Sequence, residues 1–109
     1  MRILFANRSL ERLCSEESRM KRKLGPSGAR KLKARLADLR AAARVRDLVA
    51  GHPHPLTGDR EGQFAVDLDG GRRLVFAPAD EPLPRNEDGS IAWPEVTAAC
   101  IVFVGDYHD

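Results

Sequence analysis

The chain has 109 residues and a mass of 12.0 kDa, enough for one core and too little for two ordinary domains of roughly 100 to 150 residues each. With 42% hydrophobic and 31% charged residues, wholesale disorder is excluded and one globular domain over 1–109 is predicted. The net charge of +2 conceals a division: residues 1–52 hold fourteen Lys and Arg against five Asp and Glu, a balance of +9, whereas residues 53–109 hold four against eleven, a balance of −7.

Ile3 to Phe5 forms a short apolar run that predicts a first strand, with Asn7 or Ser9 as caps of a helix to follow. Leu10, Leu13, Cys14 and Met20 supply a partial apolar stripe, Lys21-Arg22-Lys23 suits a helix C-terminus, and Gly25-Pro26 reads as a stop. Ser27 then caps a second helix in which Ala29, Leu32, Leu36, Leu39 and Ala43 recur at helical spacing. Its other face carries Arg30, Lys31, Lys33, Arg35 and Arg40, so a basic helical hairpin is predicted within residues 1–51, with one more turn over Val45 to Val49. Such a surface is either a solvated helix face or an electrostatic footprint for phosphates.

From residue 52 onward the period becomes alternating. Phe64, Val66 and Leu68 share one side of a strand, Leu74 and Phe76 one side of the next, and Asp69-Gly70-Gly71 between them suits a tight hairpin. Pro78 to Pro94 reads as an extended loop, with Trp93 either covering apolar surface or anchoring a partner, and Ala98 to Val104 as a buried last strand. The predicted order is strand, helix, helix, strand, strand, strand, an α+β domain with two N-terminal helices on a mainly antiparallel sheet. Cys14 and Cys100 lack the paired spacing of a zinc site and read as small buried residues of a reducing compartment. No apolar run approaches the ~18 residues of a membrane helix, so no membrane partner and a cytoplasmic location are expected.

Periodicity leaves three features unexplained: His54 in Gly51-His52-Pro53-His54-Pro55, the string from Thr57 to Phe64, and Asp106-Tyr107-His108. Taken singly, each has an ordinary reading as a loop or turn. Taken together, the string from His54 to Phe64, Arg72-Arg73-Leu74-Val75-Phe76 and Val104-Gly105-Asp106-Tyr107-His108 resemble the HigB-type killer toxins of the RelE/ParE superfamily. Similar too are the helix segments Ala29-Arg30-Lys31-Leu32, Arg35-Leu36 and Leu39-Arg40-Ala41-Ala42, and the loop Pro84 to Gly89.

The resemblance implies a RelE-like fold with a curved sheet, and cleavage of mRNA in the ribosomal A site. The family's reaction is metal-independent attack of a ribose 2′-hydroxyl on the adjacent phosphate, so no cofactor and no metal are expected. On the family pattern, His54 and His108 are the acid–base candidates, Asp106 a second proton-transfer or orienting group, and Arg73 a phosphate clamp. Arg72 belongs on the opposite side of the pleat. Tyr107 either stacks on a base or hydrogen-bonds phosphate, or simply covers the sheet edge. Arg60 is expected to hold the turn through Asp59 or Asp67, with a phosphate contact as the lesser role. Lys21, Arg22, Lys23, Arg30, Lys31, Lys33 and Arg35 are the cations expected against ribosomal RNA.

One departure bears on activity: Thr57 stands where family members commonly carry Lys, and it can donate a hydrogen bond but supplies no charge. The implied partners are a helix-turn-helix antitoxin, the ribosome and its mRNA, and operator DNA through the antitoxin alone. A catalytically silent antitoxin-binding corepressor and a ParE-like gyrase inhibitor are the alternatives. Retention of His54 and the terminal Asp106-Tyr107-His108 weighs against the second, because a gyrase-directed toxin needs no proton-transfer groups there.

Overall fold

The structure is a computed structural model and describes residues 1–107. The predicted candidate His108 lies outside the described residues. After strand β1 (Arg2–Phe5), Asn7 caps helix α1 (Arg8–Ser15), its Oδ1 accepting from the Leu10 amide at 2.9 Å. The single helix expected up to Gly25 is instead broken at Glu16, whose φ of −112° and ψ of 111° are extended. A continuous helix would place Met20 about 240° around the axis from Cys14, and the break resets that phase so that both are buried.

Helix α2 (Glu17–Ala41) is interrupted at Gly25, whose φ of 75° makes Pro26 the first residue of a new helical stretch. There the missing proline N–H costs nothing. Beyond that point Ala29, Leu32, Leu36 and Leu39 are buried, as their spacing predicts. A 3-10 turn, Val45–Asp47, replaces the further helical turn expected to Val49, and Arg44 and Arg46 fix it by pairing with Glu95, each at 2.9 Å.

The sheet has five strands in the order β1-β5-β4-β3-β2, with β2 at His54–Pro55, β3 at Phe64–Asp67, β4 at Arg73–Pro78 and β5 at Ala98–Gly105. Strand β1 runs parallel to β5 and every other pairing is antiparallel, so the sheet is mixed, mostly antiparallel and open. Strand β2 was not expected from the sequence: Pro53 and Pro55 hide it, yet an edge strand tolerates the missing N–H. Phe64, Val66, Leu74, Phe76, Ala99, Ile101 and Val104 pack against the helical leucines as one core. Trp93, partly buried, packs against them, its ring 5.0 Å from that of Phe64.

Two contacts position the sheet. Asp80 accepts hydrogen bonds from the Thr97 amide at 2.8 Å, the Thr97 hydroxyl at 2.6 Å and the Ala98 amide at 3.0 Å, which fixes the start of β5. At the other end, Arg72 grips Asp69 through Nε at 3.1 Å and NH2 at 2.7 Å, directly beneath Gly28 of α2. A Cβ at Gly28 would lie 2.6 Å from that NH2 and 2.6 Å from Leu24 Cβ. Burial alone would raise the Asp69 carboxyl, but the Arg72 hydrogen bond and charge and the Ser27 hydroxyl outweigh it and hold the pKa below the ordinary value.

Gly28→Ala is therefore expected to cost about 1–3 kcal/mol in urea denaturation, the range for overpacking. Asp80→Asn should cost about 2 kcal/mol at neutral pH through three hydrogen bonds to a carboxylate. Burial raises the Asp80 pKa and the Thr97 and Ala98 donors more than reverse that, so the net shift is downward. The wild-type advantage is then complete above the unfolded carboxylate range and is lost as pH falls through the lower folded value. Denaturation midpoints that stay parallel for the two proteins down to strong acid would disprove this account.

Candidate active site on the open face of the sheet

Residues directly opposed across antiparallel strands share a face. His54, Ala65, Val75 and Phe103 are opposed in one row, and Asp67, Arg73 and Gly105 in the row two residues along. Leu74, Val66 and Val104 between these rows point into the core, so both rows lie on the face that the helices leave uncovered. Arg72 points the other way, under α2, as the pleat predicts.

The His54 ring is fixed through Nδ1, 2.7 Å from the carbonyl oxygen of His52. A carbonyl can only accept, so Nδ1 carries the proton of the neutral ring and Nε2 keeps its lone pair. The His52 ring stacks on it, with centroids 4.6 Å apart and planes inclined by 27°. Asp67 connects this pair to Arg73: its Oδ2 lies 3.9 Å from His52 Nδ1 and its Oδ1 lies 2.8 Å from Arg73 Nε. The Nε contact is an ion pair without hydrogen-bond alignment, whereas Arg73 NH1 donates to the Arg72 carbonyl at 3.3 Å. Most of the five guanidinium donors therefore remain for a ligand, and Gly105 opposite adds no side chain to crowd them.

The expected pairing of Arg60 with Asp59 or Asp67 does not form. Its guanidinium carbon instead lies 4.5 Å from the Phe103 ring centroid and 4.9 Å from that of Tyr107, while NH1 donates to Gln63 Oε1 at 3.0 Å. Two aromatic contacts, each worth about 0.5–2 kcal/mol, outweigh an exposed ion pair worth about 0–1 kcal/mol. Asp67 is already held by Arg73. Because Phe103 is on β5, Arg60 reaches from the β2–β3 connection across the sheet face, and Leu56, Thr57, Asp59, Arg60 and Tyr107 line one open groove. The Asp106 carboxylate lies against the β3–β4 turn, its Oδ2 3.3 Å from where a Gly71 Cβ would stand.

The predicted cations of the helices stand apart from this site, because α1 and α2 cover the other face of the sheet. Lys21, Arg22, Lys23, Arg30, Lys31 and Lys33 are exposed. Lys33 and Lys21 share Glu17 at 3.1 and 3.4 Å, and their hydrogen bonds, Lys33 first, draw its carboxyl below the ordinary range. Arg35 departs from the expected RNA-facing set: it is largely buried, pairs with Asp38 at 3.0 Å and packs on Gly51. Cys14 is a buried thiol, pushed up to about 11 by burial, against a smaller opposing effect of Arg40.

Solved structures share this architecture. A YoeB/ParE toxin from Agrobacterium tumefaciens superposes with a TM-score of 0.60 at 11% identity, over 98% of this chain and 99% of that one. A YoeB-YefM complex from Staphylococcus aureus superposes at 0.58 and 13% identity, over 98% and 97%. The fold is that of the YoeB/ParE toxins. The sequence itself matches no protein-family model and no curated protein.

Within this toxin fold, sequence reasoning missed Asp67 as the partner of Arg73 and Phe103 as the support of Arg60. The first was within reach, since residues 67 and 73 are symmetric about Gly70, the centre of the Asp69-Gly70-Gly71 turn. Long-range 1H–15N correlation spectra of the neutral imidazole should show His54 as the tautomer protonated on Nδ1. Protonation on Nε2 would contradict the hydrogen bond to His52.

Proposed function

We propose that the chain is a HigB-type toxin of a type II toxin–antitoxin pair, a single-domain cytoplasmic endoribonuclease that cuts mRNA on the ribosome without a metal. The observation that carries this reading is the placement, on one open face of a toxin fold, of His54 with its Nε2 lone pair and Arg73 with unspent donors. The sequence resemblance to HigB-type toxins supplies the reaction.

In that reaction Nε2 of His54 takes the proton of a ribose 2′-hydroxyl as its oxygen attacks the adjacent phosphorus. Arg73 stabilises the charge that develops on the phosphate oxygens. The bond from phosphorus to the 5′-oxygen breaks, that oxygen is protonated, and the products are a 2′,3′-cyclic phosphate and a free 5′-hydroxyl. His108 and Asp106 are the proton donors on offer for this step. Tyr107 and Arg60 bound the groove beside Thr57, and Arg60 supplies there the cation that Thr57 does not. Its stacked position suits an RNA base or phosphate laid along the groove. The exposed cations of α2 face ribosomal RNA, and a helix-turn-helix antitoxin silences the toxin and carries it to operator DNA.

Primer extension on a defined mRNA in a reconstituted translation reaction tests this. Wild-type protein should cut within ribosome-bound codons, His54→Ala and Arg73→Ala should each slow cutting by ~100-fold or more, and Arg60→Ala by ~10-fold or more. Folded wild-type protein that cuts nothing, with or without ribosomes, would overturn the nuclease reading in favour of an antitoxin-binding module.

A further inference from the structure

No metal was expected from the sequence, yet among the described residues His52, His54 and Asp67 bring one ligand atom each to within 4.8 Å of one another. They lie at the edge of the sheet face, on β2, on β3 and on the turn before β2. We infer that they form a site for a transition-metal dication of the zinc class.

The backbone is shaped for it. His52 adopts a φ of 49°, directly after Gly51 at 83°, in the left-handed region that non-glycine residues uncommonly enter, although His, Asn and Asp do so more readily than the rest. Strain of this kind persists where surrounding structure enforces it, and it clusters at functional sites. Here it turns the His52 ring back onto that of His54. It also aims the His52 carbonyl at His54 Nδ1, the outer hydrogen bond that metal-bound histidines characteristically make, which leaves Nε2 as the ligand atom. Asp67 is oriented by charge: its ion pair with Arg73 engages Oδ1, and Oδ2 is the oxygen turned towards His52.

Two imidazole nitrogens and one carboxylate oxygen select zinc, cobalt, nickel or copper over magnesium and calcium, which prefer oxygen ligands alone. Metal–ligand bonds of about 2.0–2.2 Å require the three atoms to close slightly, and the His52 side chain, 76% exposed, is free to turn inwards. Water completes the coordination. The positive charge of Arg73 beside Asp67 makes the site weaker than a structural zinc site, as suits reversible occupancy. A bound ion would occupy the Nε2 lone pair of His54, so, on the proposed nuclease reading, zinc is an inhibitor and not a cofactor.

The test uses the full chain free of any affinity tag. Calorimetric titration with Zn2+ and visible spectra with Co2+ should report one equivalent on wild type. His52→Asn, which accepts the left-handed backbone and keeps the carbonyl to His54, should weaken binding by more than ~10-fold. Asp67→Asn should do the same, with folding checked by circular dichroism. In the primer-extension reaction, Zn2+ should suppress wild-type cleavage. Equal Zn2+ affinity of wild type and His52→Asn, or no binding to wild type, overturns the site. Metal binding by a wild type that cleaves no RNA would leave the site standing and remove the nuclease reading alone.

Discussion

The hairpin between β3 and β4 sets two successive arginines against opposite faces of the sheet, and the site depends on that division. Arg72 turns under α2, where Gly28 gives it room and Asp69 takes two of its donors. With that residue anchored, the pleat leaves Arg73 no choice of side, and it emerges on the open face beside Asp67. A single-residue slip of register would exchange the two and carry the guanidinium of the site into the helical layer. The sheet-to-helix packing and the chemistry of the open face are thus consequences of the same turn.

Asp67 then divides its two oxygens between neighbours, Oδ1 to Arg73 and Oδ2 towards His52. It holds the Arg73 stem without consuming the outer end of the guanidinium. Had Asp67 been matched by Arg60, as the sequence suggested, Arg73 would have lost its restraint. The aromatic pair Phe103 and Tyr107 removes that competition by holding Arg60 elsewhere. Selection between two arginines for one carboxylate is made by rings on β5 and at the end of the chain, far from Asp67 in sequence.

This explains what could be read from the sequence. The helical period of Leu32, Leu36 and Leu39, the Asn7 cap and the Asp69-Gly70-Gly71 turn are local signals, and the structure agrees with each. The break at Glu16 is hidden because Leu13, Cys14 and Met20 are all apolar, and only the phase between Cys14 and Met20 betrays it. Strand β2 was hidden because two prolines remove the donors by which a strand is recognised, and because its pairing partners, Ala65 and Phe64, lie nine or more residues away. At the site, His54 and Arg73 stood out by residue type. Their linkage through His52 and Asp67, and the reach of Arg60 across the sheet, follow from strand order, which no local pattern encodes.

The separation of charge from chemistry bears on the choice of substrate. A ribonuclease acting on free RNA gains from placing its cations around the scissile phosphate, since each one near the backbone adds to affinity. Here the exposed lysines and arginines of α2 lie behind the sheet, while the open face sets two cations, Arg73 and Arg60, against the carboxylates of Asp67, Asp59 and Asp106. Such a face attracts phosphate weakly by itself. An mRNA held by some larger body that also offers phosphates to the far side of the protein would meet both surfaces at once, with the second contact supplying the affinity that the first lacks. On the proposed nuclease reading, a ribosome-bound mRNA would be such a substrate, a preference that follows from the two-sidedness of the sheet and not from the identity of any one residue.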